Sequence, residues 1–373
     1  MKFINLLLVI MAALLIAVGL STTAVAFHDG GVAHCDGCHT MHNSQDGKPI
    51  TSTPSDSHLL KQIDSSSTCL ACHADYGQRS GMGGENSPEG GSGYGSGGDF
   101  YWLTRTFTWT AHGHEASSTG DSHGHNIIAQ DFGLTNTDGQ LGTSAPGGTF
   151  VGELSCASCH DPHGKGDAEL LLRNAPYEGA NFPAAPIFES AGRRTASSNS
   201  VSDTRHSSFG SGMSEWCGAC HGDFTGGLAN RMHPTSTGLS GIADNYNSYV
   251  STANPDGGSA TNAYRELVPF ENGATTVEGL AGTDSTQGPT GTSRVMCLSC
   301  HRAHASAFPD SFRWDYTTEI LQDSHPNGNP ADDGSTAQEK LHSYYGVDLT
   351  TAWGPDQRSL CNKCHKQDGA HSG

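Results

Sequence analysis

CDGCH at 35–39 is the stretch that decides how this chain folds. Two thiols three positions apart, followed at once by an imidazole, return as CLACH at 69–73, CASCH at 156–160, CGACH at 217–221, CLSCH at 297–301 and CNKCH at 361–365. These motifs consume all 12 cysteines: Cys35, Cys38, Cys69, Cys72, Cys156, Cys159, Cys217, Cys220, Cys297, Cys300, Cys361 and Cys364. In such a motif both sulfurs add to the vinyl groups of one haem, and the adjacent imidazole meets the iron from one face. Zinc ribbons use C-x-x-C without the invariant following histidine, and a disulfide framework would leave six imidazoles without a role. The pattern therefore implies six haem c groups, with His39, His73, His160, His221, His301 and His365 as proximal ligands.

Working outward, the rest of the chain is lean. It is 34% hydrophobic, with 49 glycines and 16 prolines, too little apolar surface to offset the entropy of ordering unaided. Six covalently tied porphyrins would supply the missing interior. The expected fold is thus a multihaem cytochrome c with a haem-dominated core: mostly irregular coil, short α-helices at the motifs, little or no sheet. Gly81 to Gly98 reads as a loop. Ser335 to Tyr345 reads as a helix opened by Thr336, with Glu339 completing a capping box. The first cysteines, at 35, 69, 156, 217, 297 and 361, are unevenly spaced, which argues against a tandem repeat. Residues 27–373 read as a single hexahaem domain.

The N-terminus carries Lys2, an apolar run from Leu6 to Leu20 and Ala24-Val25-Ala26, the pattern of a signal peptide over residues 1–26 that is cleaved before Phe27. The run falls short of the roughly 18 residues of a membrane span, so no membrane anchor is expected. Export through the periplasm agrees with the motifs, because thioethers to haem form outside the cytoplasm. With 19 Lys and Arg against 38 Asp and Glu, the surface is acidic and nucleic acid is excluded as a partner. Cationic proteins and metal ions suit it better.

The sixth ligand decides what each iron can do. A second histidine closes the site for electron transfer, and an open position permits catalysis. Of 21 histidines, six are proximal, leaving fifteen for six distal positions. Methionine is scarce, so bis-histidine ligation is expected throughout. Three motifs continue as C-x-x-C-H-x-x-H, adding His42, His163 and His304. Positions three apart on a helical turn share one face, whereas the two ligands of one iron approach from opposite faces. Each second histidine must therefore serve another haem, lying close against its own. His28, His125 and His233 complete the distal set. The remaining histidines, His34, His58, His112, His114, His123, His206, His325, His342 and His371, read as mostly solvent-exposed, with His112 and His114 the first alternatives.

The segments FHDGGVAHCDGCHTMHNS at 27–44, GHNIIAQDF at 125–133, CASCHDPHGK at 156–165, GMSEWCGACH at 212–221, CLSCHRAHASAF at 297–308 and RSLCNKCH at 358–365 resemble the OmcS-type hexahaem outer-surface cytochromes of Geobacter-type metal-reducing bacteria. The stretches between them are looser, and the one between the third and fourth motifs is shorter than in that family. The resemblance implies six bis-histidine haems stacked in close pairs, each pair meeting the next at a steep angle. It also implies that His42 ligates the fifth haem (Cys297, Cys300, His301) of an adjacent subunit. Extracellular electron transfer follows as an expectation, in a filament at the outer cell surface. Partners would be other copies of the chain, other cytochromes and extracellular acceptors such as metal oxides. The alternative is a soluble monomeric periplasmic or surface carrier. A catalytic oxidoreductase would call for an open iron, often marked by C-x-x-C-K, and no such motif occurs. An electron-transfer protein without catalytic residues is therefore expected.

Overall fold

The computed structural model describes residues 35–40, 44–45, 48–49, 59–73, 95–135, 137–139, 142–148, 150–164, 171–191, 201–225, 233–318, 320, 323–355 and 360–365. Residues 1–26, with the expected signal peptide, His28, His42 and the glycine-rich residues 81–94 lie outside these. In chain order the helices are α1 (Cys35–Cys38), α2 (Ser65–His73), α3 (Cys156–Cys159), α4 (Met213–Cys217), α5 (Ile242–Ser248), α6 (Cys297–Cys300), α7 (Ala337–Ser343) and α8 (Leu349–Trp353). A 3₁₀ turn at Cys361–Lys363 carries the last motif. Every motif thus sits on a helical turn, since thiols three apart need one turn to share a face. Helices α3 and α6 stop there because the proximal histidine leaves helical geometry: His160 has φ −107° and ψ 142°, and His301 has φ −110° and ψ 162°.

Sheet is confined, among the described residues, to three two-stranded antiparallel ladders. These pair β1 (Ser44–Gln45) with β2 (Lys48–Pro49), β3 (Phe107–Ala111) with β4 (His114–Ser118), and β5 (Phe188–Glu189) with β6 (Ser208–Phe209). The longest is a hairpin turned by His112 (φ 51°) and Gly113 (φ 79°), two left-handed residues whose twist matches that of the flanking strands. Its alternation points Phe107 and Trp109 inward. There they join Tyr246, Phe308, Tyr344 and Trp353 in the largest apolar cluster. This aromatic core is more side-chain interior than the composition promises. Phe107, Phe308, Tyr246 and Trp353 are 0 to 3% exposed, and an aromatic side chain buries a large area.

Helix α7 matches its sequence signature. The Thr336 hydroxyl accepts from Glu339 N at 3.1 Å, and Thr336 N donates to Glu339 Oε2 at 2.8 Å. Glu339 also receives Tyr101 Oη at 2.9 Å and Arg105 Nε at 2.6 Å, tying the helix to the segment before the hairpin.

The expectation that the spare histidines face solvent fails at four positions. His123, His206, His325 and His342 are 0%, 4%, 1% and 3% exposed. Their imidazoles act as flat core side chains with polar edges. His123 lies between Ser118 Oγ at 2.7 Å and the Trp102 carbonyl at 2.9 Å. His206 faces the Ser207 and Ser285 carbonyls and stacks on Tyr264 at 3.5 Å. His325 stacks on Trp109 at 4.2 Å, and His342 lies 6.2 Å from the Trp102 ring. His112 and His114 are exposed as expected.

Candidate haem sites

Consecutive motifs meet through their cysteines. Burial and the nearness of Cys69 and Cys72 raise the Cys38 thiol. A hydrogen bond with Cys156, then burial, raises Cys69. Burial and Cys220 push Cys159 up to about 12. A hydrogen bond with Cys297, then burial, raises Cys217. Burial, with Cys361 and Cys364 nearby, pushes Cys300 up to about 12. Once the sulfurs are thioethers they no longer titrate, so these contacts serve as a map: all six motifs follow one another in space in the order of the chain.

The hydrogen bonds around the motifs repeat although the spacing does not. The Cys156 amide donates to Ser66 Oγ at 3.1 Å, and the Cys297 amide donates to Ser214 Oγ at 3.1 Å. Ser66 and Ser214 each stand three residues before the first cysteine of the preceding motif. The second and third motifs are therefore joined in the same way as the fourth and fifth. The first, third and fifth motifs, those with the extra histidine, share a further device. Their proximal histidines form antiparallel bridges: His39 with Leu60, His160 with Leu172 and His301 with Phe312. In each, a left-handed residue precedes the bridge partner: Leu59 (φ 58°), Leu171 (φ 57°) and Ser311 (φ 57°). The local unit is a repeat, with insertions of unequal length between copies.

Imidazoles from different motifs come together across these contacts. Ring centroids lie 6.0 Å apart for His39 and His163, 6.3 Å for His160 and His304, 6.0 Å for His221 and His125, and 5.8 Å for His365 and His233. An iron between two imidazoles, with bonds of about 2 Å to each, needs centroids about 6 Å apart. The four separations fit that requirement. The second nitrogens are also disposed for it. Nδ1 lies 2.8 Å from the Ala303 carbonyl in His125, from the Pro146 carbonyl in His221 and from the Asp310 carbonyl in His301. An Nδ1–H donated to a carbonyl leaves the Nε2 lone pair for a metal. Burial brings His304 down to about 3 and His125 down to about 4, which keeps both in the neutral form that ligates. His123 and His206 have both ring nitrogens engaged by the protein and cannot offer one.

Two proximal histidines stand apart from this pattern. The His301 ring packs on Phe312 at 4.2 Å, with His221 and His125 as neighbours. His73 lies near His304. The two distal candidates not yet placed, His28 and His42, fall outside the described residues.

A coil-rich chain threaded through six C-x-x-C-H turns in spatial succession, with imidazoles paired across them, defines a multihaem c-type cytochrome, a protein that carries haem c and transfers electrons. The chain is 35% identical to the C-type cytochrome OmcS of Geobacter sulfurreducens, over 96% of its own length and 97% of the relative's, and it belongs to the OmcS family of c-type cytochromes. Its fold superposes on the Outer Membrane Cytochrome S filament of the same organism with a TM-score of 0.76 at 31% identity. It superposes on the structure described as OmcS nanowires with a TM-score of 0.69 at 33% identity. Each alignment covers 92% of this chain and all of the other. No protein-family model matches.

Proposed function

We propose that the chain is the subunit of an extracellular cytochrome filament, in which electrons pass through six bis-histidine haems and on into the next subunit. His163, His304, His125 and His233 are the distal ligands opposite His39, His160, His221 and His365. The observation that carries this is the set of four imidazole pairs at 5.8 to 6.3 Å. Each distal ring comes from a segment remote from its partner's motif, so each ligation ties one part of the chain to another.

His28 and His42 then remain for the second and fifth haems. His42 cannot turn back to its own iron from three positions after His39. The reading that fits the family assigns it to the fifth haem of an adjacent subunit and His28 to the second haem. A bond of this kind makes the haem series of one subunit continuous with that of the next. The terminal acceptors are extracellular oxidants such as metal oxides, and the chain reaches them by export through the periplasm.

His42→Ala tests the assignment. One iron in six should become five-coordinate and high-spin, and the secreted protein should be monomers or short oligomers. His114→Ala, on the exposed strand β4, is the control and should change neither; the buried His342 is unsuited to that role. Long filaments with six low-spin haems from His42→Ala would overturn the assignment of His42. Wild-type protein that is secreted only as monomers would overturn the filament and leave the soluble monomeric carrier.

A further inference from the structure

The repeated unit around the first, third and fifth motifs ends each time on a cation. The residue after the bridge partner is Lys61, Arg173 or Arg313, and its amide donates to the carbonyl of the motif's second cysteine: Lys61 to Cys38 at 2.9 Å, Arg173 to Cys159 at 3.0 Å, Arg313 to Cys300 at 2.8 Å. The two arginines also turn their side chains back onto the motif. Arg173 Nε donates to the Ala157 carbonyl at 2.6 Å, and Arg313 Nε to the Leu298 carbonyl at 2.7 Å. Each accepting residue lies directly after the first cysteine. Around the fifth motif Arg313 and Arg302 are both fully buried and share one carboxylate, Glu266, at 3.5 and 3.2 Å.

The second motif carries the opposite sign. Asp64 closes the N-terminus of α2, accepting from Ser67 N at 2.7 Å and Gln130 N at 2.8 Å. At the fourth and fifth motifs charges of both signs meet: Glu271 accepts from Met213 N at 2.8 Å at the N-terminus of α4, and the same turn holds the Cys297 amide through Ser214 Oγ at 3.1 Å. The sixth motif has Lys363, whose Nζ is held by the Tyr246 and Tyr249 carbonyls at 2.7 and 2.8 Å.

Oxidation of a haem adds one positive charge at the iron. A fixed cation at the attachment turn therefore favours the ferrous state and raises the potential, and a carboxylate lowers it. We propose that Lys61 and Arg173 hold the first and third haems at higher potential than the second, which Asp64 holds down. Electrons then cross a high, low, high series over the first three haems of each subunit. They act through the local field and touch no substrate, and the arrangement requires only the haem c class established above, not polymerisation.

Arg173 is the position to test, since it is only half-buried. Potentiometric titration of the purified haem-loaded protein at pH 8, read optically, resolves the distribution of six one-electron couples. Arg173→Gln should lower one couple by about tenfold in its ferrous to ferric ratio, about 59 mV for a one-electron step. The low-spin spectrum should be unchanged. Arg173→Lys should restore most of the shift. Asp64→Asn should move a different couple upward, and Lys340→Gln on the exposed face of α7 should move none. A Gln variant with wild-type potentials would overturn the proposal, as would a Lys variant shifted as far as Gln, which would mean that the bonds and not the charge matter. Should Arg173→Gln yield no holoprotein, Lys61→Gln and Asp64→Asn give the same test at the first two motifs, with shifts of opposite sign required.

Discussion

His304→Ala isolates a single link of the proposed haem series. The His304 ring stands 6.3 Å from His160 and packs on Phe100 at 4.7 Å. Its removal should leave the third haem with one protein ligand. The neighbouring fourth haem should be spared, for a specific reason. His125 is positioned by its amide bond to the His304 carbonyl at 2.9 Å and by its Nδ1 contact with the Ala303 carbonyl at 2.8 Å, and both are backbone groups that alanine retains. One haem in six should therefore lose its low-spin signature, about a sixth of the low-spin absorbance or electron paramagnetic resonance intensity. Added imidazole should fill the space left by the ring and return that fraction to low spin. His112→Ala, on the exposed hairpin turn, should leave all six haems unchanged. Six low-spin haems in His304→Ala, or two converted haems without rescue by imidazole, would refute the pairing of His304 with His160.

Other consequences concern stability. Burial raises Glu271 from 4.5 to about 7, with Glu215 also raising it and Arg294 opposing. Between those two values the folded chain holds a proton that the unfolded chain has released, so stability should fall with rising pH by about 1.4 kcal/mol per unit. Glu271→Gln should flatten that slope in denaturant titrations, and an unchanged slope would assign it to other groups. Phe308 is wholly buried in the aromatic cluster, and Phe308→Ala should cost about 3–5 kcal/mol in guanidinium unfolding without altering haem ligation; a loss under 1 kcal/mol would show that the haems alone support this region. Ser214→Ala, which removes the acceptor of the Cys297 amide, should cost about 1 kcal/mol, and Ser66→Ala should match it if the two motif pairs are copies of one unit.

The cysteine motifs made the haem number, the short helices and the scarcity of sheet legible, because covalent attachment prescribes local geometry. The rule that a second histidine three positions on serves another haem came from helix geometry, and in the structure His163 lies against His39 and His304 against His160. The buried histidines were not legible. His123 and His325 look like any polar residue in sequence, and only long-range packing against Trp109 and Phe107 makes them core. The repeat was hidden because insertions between motifs differ in length, while what recurs is a set of backbone bonds. A trace of it can be read in retrospect: Leu59-Leu60-Lys61, Leu171-Leu172-Arg173 and Ser311-Phe312-Arg313 each place a basic residue after the apolar bridge partner. Sequence had no means to show that the cation turns back onto its motif.

Cryo-electron microscopy of the wild-type secreted fraction, at a resolution that traces side chains at the irons, tests the central claim most directly. Filaments are expected in which the iron bound by His301 takes its second imidazole from His42 of the neighbouring subunit. The four pairs His39 with His163, His160 with His304, His221 with His125 and His365 with His233 would then be closed within one chain. Discrete particles in which the His301 iron is ligated from within its own chain would contradict it.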